Sequence, residues 1–583
     1  MYCRPDWTEA TAVVAGNQSR LDASAHGESD PDAASVRVTS AVNVQGRTLT
    51  HLREWTARAV LERAVEFTGI VSPWRMLPAS APTLAASATG TVAGATGHYE
   101  PGKASFVVSG HQPSLFHPGV WVKNFAINAL AEQTGRIGLN LIVDNDALSA
   151  TSIRVPTGNR ETPRVVDVPF DEPQSARPWE EAGIADATVF ESFADRVSKL
   201  MAGWGIDPLL GQIWPDAVEL AAWGEPLPVC LTAARHRLER SWGLRNLELP
   251  LSRLCECDPF LWFAGHLFAH ADRFRDVHNA ALGQFRAINR VRSRTHPVPE
   301  LSTLDDWTET PFWIWSASDV RRRRAYVRQR GRETELFDGR DVVARFPLTP
   351  EMDACCAVEA LRELPRRGLR LRTRALTTTL FARLCLSDVF VHGIGGAKYD
   401  EMTDRIIARF FGMAAPAFLT MSATVHLPLA EPFEVSPAEL SRMTQQLRDL
   451  RFNPERHFRR VGWAVPTTDG SARSHRWAQP TLLLNELIEE KQALVVEQHS
   501  TESQGLTRSE RRRRAAQNSA RYRRLREISE SLVSAAAEER RRLEEQIAEI
   551  QRRLAANAVL RNREFSFCLY PESALRPFLT GKF

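Results

Sequence analysis

The stretch Ala104–Asp146, ASFVVSGHQPSLFHPGVWVKNFAINALAEQTGRIGLNLIVDND, decides how this 583-residue chain is to be read. Phe106, Val107 and Val108 form a short apolar run rich in β-branched residues, as in a strand buried on both faces. Gly110 ends it, and a polar loop with His111, Gln112, Pro113 and His117 follows. From about Val120 the period turns helical, with Val122, Phe125, Ala126, Ala129 and Leu130 on one face. Gly135 and Gly138 close the helix, and Leu139 to Val143 make a second strand ending in Asp144, Asn145 and Asp146. The whole is a βαβ unit. Its reactive side chains fall just past strand carboxyl ends, where a doubly wound sheet places ligands.

That placement gives the loop a chemistry. A helix N-terminus offers unpaired N–H groups and a positive dipole end to phosphates or carboxylates. His111 and His117 beside it are candidate catalytic groups, able to donate hydrogen bonds or move protons near neutral pH. Asp144 and Asp146 are the other catalytic candidates, suited to a substrate amine, a ribose or Mg2+. Gln112, Lys123 and Asn124 are candidate substrate-binding residues. In the alternative reading both histidines only tie down the loop and both aspartates cap the next element.

Length allows two to four domains. Composition, 43% hydrophobic and 25% charged, is that of a globular protein. With no membrane-length apolar run, no signal-like h-region and eight scattered cysteines without a CxxC pair, the expectation is a cytoplasmic protein without disulfides. A net charge of +4 is too small to point to nucleic acid. Only six of the 74 basic residues are lysine, so a retained lysine hints at chemistry that arginine's fork cannot supply.

Along the chain, residues 1–38 are polar and unpatterned, and are read as a disordered N-terminus. Residues 39–100 form a helical extension (His51 to Phe67) and a small-residue linker. The segment 172–295 reads as a helical insertion, and Phe260 to Asn289 as one long helix. On it, His266 and His270 stand at i,i+4 but lack a third ligand, and Cys255 and Cys257 are too few for zinc. No metal centre is expected. Pro311–Trp315, PFWIW, reads as a buried strand or a stacking surface.

A second stretch, Thr373–Gly412, contains Leu376 to Leu386 as a helix and Val389 to Val391 as a strand. The loop HGIGGAK then precedes a helix from about Tyr399. Gly393, Gly395 and Gly396 permit close backbone approach to a ligand, and Lys398 would meet its negative charge. His392, Tyr399 and Asp400 complete this set of binding candidates. The spacing fits neither GxxxxGK[ST] nor GxGxxG.

Arg508 to about Asn562 reads as one charged helix whose inner positions are Leu525, Ile528, Leu532, Ala536, Glu539, Leu543, Ile547, Ile550 and Leu554. Their eleven-residue period suits a nearly straight seam, packed on the preceding helices or across a dimer. Its start, RSERRRRAAQNSARYRRLRE, has a zipper-like basic look, but leucine does not recur every seventh residue. A solvated arginine-rich face is the commoner meaning of such a run.

These pieces together resemble the bacillithiol-synthesis cysteine ligase (BshC) family over roughly residues 100–583. VVSGHQPSLFHPGVWVKNFAINAL is similar to that family's strand–GQQxGLFxGP–helix start, and AINRVRSRTHPVPEL with PFWIW to its helix end and proline segment. VFVHGIGGAKYDEMTDRIIARFFG stands in place of its GGPGE loop, and the late helix in place of its coiled-coil arm. HQPSLFHPG alone is also similar to WbqC-like proteins. The resemblance implies an α/β fold with a Rossmann-like, nucleotidyltransferase-type parallel sheet, a helical insertion and a C-terminal coiled-coil arm. The core would span 101–430, the arm 431–562 and a return segment 563–583. It implies a ligase joining cysteine, or a related amine, to an amino-sugar/malate-type or nucleotide-activated substrate. Residue by residue it carries over to Gln112 with its loop, Asp146 and Gly395 with its neighbours. ATP/ADP or Mg2+ are the candidate cofactors, and a homodimer through the coiled coil the candidate assembly. His111 departs from the family's glutamine, VDND stands for a longer acidic-histidine stretch, and HGIGGAK brings a lysine and no glutamate. The site is thereby more basic and suited to a small anionic substrate. Nucleic acid and membrane are not expected partners. Two other readings remain: a non-catalytic small-molecule- or nucleotide-binding protein of the same fold, and an arginine-rich coiled-coil protein that interacts with nucleic acid through its arm.

Overall fold

The computed structural model describes residues 1–26, 41–72, 104–174, 176–293, 295–455, 478–499 and 507–583. They form two compact units. One comprises 1–158, 165–429 and 562–583, the other 159–164 and 430–561. Lys103 and the linker at 78–97 lie outside the described residues.

The first unit is built on a mixed sheet of six described strands: β1 (Tyr2–Arg4), β2 (Phe106–His111), β3 (Ile137–Ile142), β4 (Leu247–Pro250), β5 (Ser387–His392) and β6 (Phe418–Ser422). Their spatial order is β1-β6-β5-β2-β3-β4. All neighbours run parallel except β1 against β6. From β2 the chain winds outward through β3 to β4, then returns to the other side of β2 and winds through β5 to β6. The winding reverses between β2 and β5.

The predicted βαβ unit is present. Phe106, Val107 and Val108 are fully buried, each contributing roughly 1.5–3 kcal/mol. Helix α3 (Pro118–Thr134) starts on His117 as N-cap and ends at Gly135, whose φ of 64° suits the glycine C-cap. Gly119 has no room for a side chain: a Cβ would lie 2.4 Å from the Ala423 carbonyl oxygen.

Several expectations are corrected. Residues 1–26 are not featureless, while 27–38 lie outside the described residues: β1 pairs with β6, and α1 (Ala10–His26) buries Ala10, Val14 and Leu21. Its Asn17 amide donates to the Asp388 and Ala417 carbonyls at 2.8 and 2.7 Å. The buried stripe is small and interrupted by asparagine, so the pattern is faint. α2 (Leu49–Val71) packs Leu52, Val60 and Ala64 into the same core as β2 and β3. The 172–295 segment is not purely helical, because it supplies β4. Phe260 to Asn289 is two helices, Asp258–Ala269 and Ala271–Ile288, parted at His270.

A second, antiparallel sheet was not foreseen. Its main strands run in the order Val342–Pro347, Glu333–Phe337, Asp319–Arg330, Trp307–Ser316, Leu369–Thr373. PFWIW lies in its longest internal pairing, with Phe312, Ile314 and Trp315 buried.

The second unit is helical. The expected single helix from Arg508 is two, Arg508–Ala535 and Ala537–Leu560, meeting at Ala536, where no side chain caps the second. Ile528 and Leu532 pack with Ile488, and Ala536 and Leu543 with Leu450. The chain itself covers this stripe.

Candidate functional site

The two motif loops lie side by side because β2 and β5 are adjacent and parallel, with Val391 opposite Ser109. Their carboxyl ends flank the point of reversed winding, where open α/β sheets hold ligands.

On the β5 side the helix starts earlier than predicted. α5 (Ile394–Ile406) begins directly after Gly393, so the glycines are its first turn and not a loop. No side chain caps it. A Cβ at Gly393 or Gly395 would meet nothing within 4 Å. Neither position has the left-handed φ that would demand glycine, so the fold itself does not require these residues to be bare. Ile394, Gly395, Gly396 and Lys398 are exposed. An open helix end with an adjacent ammonium suits an anion.

His392 does not belong to that surface. It is buried, its Nε2 lying 3.0 Å from Asp400 Oδ2. Asp400 also accepts from Arg383 at 2.6 Å and from the Thr379 hydroxyl at 2.7 Å. Burial would raise the Asp400 carboxyl, but His392 and Arg383 hold it well below the usual range. Tyr399 faces His296, Oη to Nε2 3.0 Å. His392, Tyr399 and Asp400 are therefore corrected from ligand contacts to supports of α5.

On the β2 side, the Gln112 amide donates to Asp146 Oδ2 at 2.5 Å. Asp146 Oδ1 accepts from Arg322 at 2.8 Å and from the Ala147 N–H at 2.8 Å. Arg322 comes from the antiparallel sheet and lies over Trp313. Asp146, with a 43% exposed side chain, remains open to a ligand. Asp144 is not: Ser252 donates to it from its N–H, at 2.9 Å, and from its hydroxyl. Asp144 therefore ties the end of β3 to the short helix Leu251–Leu254 and does not cap the element that follows it. Burial, with Glu180 nearby, pushes the Asp144 carboxyl up to about 7. With Asp144 engaged by Ser252, and Asp146 by Gln112 and Arg322, the pair does not fit Mg2+.

His117 Nδ1 accepts from the Gly119 N–H at 3.1 Å, which places its proton on Nε2, 3.5 Å from Glu564. It caps α3. Burial of most of the His111 ring, with the Lys123 charge adding, pushes it down to about 3. At neutral pH it is an uncharged hydrogen-bonding group and not a proton carrier. Lys123 Nζ donates to the Gly110 carbonyl at 2.8 Å, and burial pushes its ammonium down to about 8.

Sequence reading missed a buried charge network beside this loop. Helix α4 (Leu227–Ser241) buries Arg235, His236, Arg237 and Glu239. Arg235 donates to Glu239 at 2.8 Å and to both Glu248 oxygens at 2.9 and 2.8 Å. Asn124 donates to Glu239 at 2.7 Å, Trp121 to Glu239 at 2.5 Å and Asn140 to Glu248 at 2.9 Å. Asn124 is thus a network member. His236, Glu239 and Glu248 come close enough for a metal, but Arg235 already occupies both carboxylates. A narrow recess of about 10 Å³, room for about one water, is lined by His111, Gln112, Asn124, Asn140, Thr232 and Arg235. The buried Thr232 hydroxyl has no partner among the described residues. The i,i+4 pair Arg235/Glu239 and the asparagine inside β3 were the available signals.

No protein-family model matches this chain, and no curated protein matches it. Among the described residues no helix is long and apolar enough to cross a membrane.

Proposed function

We propose that the crevice between the ends of β2 and β5 binds a small anionic substrate, and that the protein joins cysteine or a related amine to it, an amide C–N bond forming between a carboxyl and an amine with net loss of water. The observation that carries the anion site is the open N-terminus of α5 at the point where the winding reverses. That strand order supports a Rossmann-like reading of the sheet. The carbon–nitrogen ligase chemistry rests on the resemblance of the two loops to the BshC family.

In this reading the N–H groups of Ile394, Gly395 and Gly396, with Lys398, hold the carboxylate or phosphate. Asp146, oriented by Gln112 and Arg322, receives the substrate amine. His111 acts as a neutral hydrogen-bond partner that orients the reacting group. No step is routed through Mg2+ or a nucleotide.

Lys398→Ala should weaken binding of an anionic substrate several-fold while leaving the unfolding midpoint unchanged, because Lys398 is exposed. Affinity equal to that of the native protein would remove Lys398 from the site. Turnover with cysteine, ATP and amino-sugar acceptors separates the ligase from a protein that only binds.

A further inference from the structure

Behind the β2 loop lies a buried cation whose surroundings are incomplete. β2 stays paired with β3 as far as His111 opposite Ile142, but its pairing with β5 stops at Ser109 opposite Val391. The sheet therefore forks beyond Ser109. The His111 carbonyl turns to β3, accepting from the Val143 N–H at 2.9 Å. Successive carbonyls of a strand point to opposite sides, so the Gly110 carbonyl turns into the fork. Lys123 Nζ is bound to it.

Lys123 is 4% exposed, and no carboxylate pairs with it among the described residues. The other buried cations here do have one: Arg235 has Glu239 and Glu248, Arg383 has Asp400, and Arg372 has Glu180 and Glu256. The titratable groups around Lys123 offer no substitute. His111 and His117 face it from the loop. Arg235, from α4, acts on His111 and is tied to its own carboxylates, while Glu564 and Arg563 of the C-terminal segment act on His117. A buried ammonium held by one backbone carbonyl is costly unless an anion joins it or it gives up its proton.

We propose that Lys123 supplies the second half of the anion site, and that a carboxylate or phosphate entering the crevice draws a proton onto Lys123 as it binds. The inference rests on the anion-binding reading above. It adds that binding is proton-linked, through a residue on α3 and not through the histidines. Burial pushes the Lys123 ammonium down to about 8, and a bound anion beside it favours the charged form.

The test is calorimetric titration at pH 8 with inorganic phosphate and with succinate, each in two buffers of different ionisation heat. Native protein should take up a measurable fraction of a proton per bound anion, a fraction that grows with pH. The ligand giving the tighter uptake-linked binding distinguishes phosphate from carboxylate. Lys123→Arg keeps a cation that cannot titrate there, so its uptake should vanish. Should that variant not fold, the native pH series decides: uptake rising from pH 6 to 8.5 supports Lys123, and uptake greatest at pH 6 assigns the proton to a histidine. Binding without uptake, or equal uptake by Lys123→Arg, overturns this inference alone. Absence of binding by either anion overturns the anion-site reading itself.

Discussion

Arg235→Met should destabilise the first unit by roughly 3–5 kcal/mol, the cost of leaving buried charge uncompensated. Arg235 is 5% exposed and spans Glu239 and Glu248, themselves 1% and 0% exposed. Methionine fills similar space but leaves two carboxylates together in a region of low polarisability. Denaturant unfolding followed by tryptophan fluorescence reads the loss, with Trp121 bonded to Glu239 as a local probe. The pH dependence has a definite sign. Burial would raise Glu248, but Arg235 and His236 hold it down to about 2 from a usual 4.5. Its folded value thus lies below its unfolded one, so the stabilisation is complete above about pH 4.5 and disappears as pH falls toward 2. The gap between native and variant should therefore narrow below pH 4.5. A loss under about 1 kcal/mol at pH 7 would show that the network is not what holds α4 against β3 and β4.

The second large effect separates binding from folding. Gly395→Asp places a carboxylate in the first turn of α5, where its Cβ meets nothing. Acidic residues there favour a helix by about 0.3–1 kcal/mol, so the variant should be as stable as the native protein or slightly more so. A bound anion would then face a like charge a few ångströms away, worth a few kcal/mol in a partly desolvated site. Anion affinity should fall ten- to a hundredfold. Gly395→Asn, of similar size and uncharged, should lose much less. Equal losses in the two variants would mean that space and not charge decides at this position.

The legible parts of the chain are those where burial and chemistry produce a pattern that repeats. The apolar runs of β2, β3 and β5 announce buried parallel strands, and the loops after β2 and β5 follow neighbouring strands. The antiparallel sheet was hidden because Asp319–Arg330, DVRRRRAYVRQR, turns Ala325 and Val327 to the core while its arginines cover the other face or edge. Read locally, it is a run of charge. The first turn of α5 was hidden because glycine is a poor helix former. Packing of Ala397 and Asp400 onto the unit imposes the helix regardless. His392 shows a further limit: its position at a strand end was legible, but its inward turn depends on Asp400 and Arg383, fixed only by tertiary structure. The same holds for Arg235 and Glu248, thirteen residues apart and joined only when α4 lies against β4.

The central claim is that the ends of β2 and β5 form one anion-binding crevice. Amide hydrogen exchange with and without saturating phosphate or succinate tests it most directly. Slower exchange in both 111–123 and 393–398, with little change in 437–452 or 508–560, is the expected result. Protection confined to one of the two segments, or to the helical unit, would contradict it.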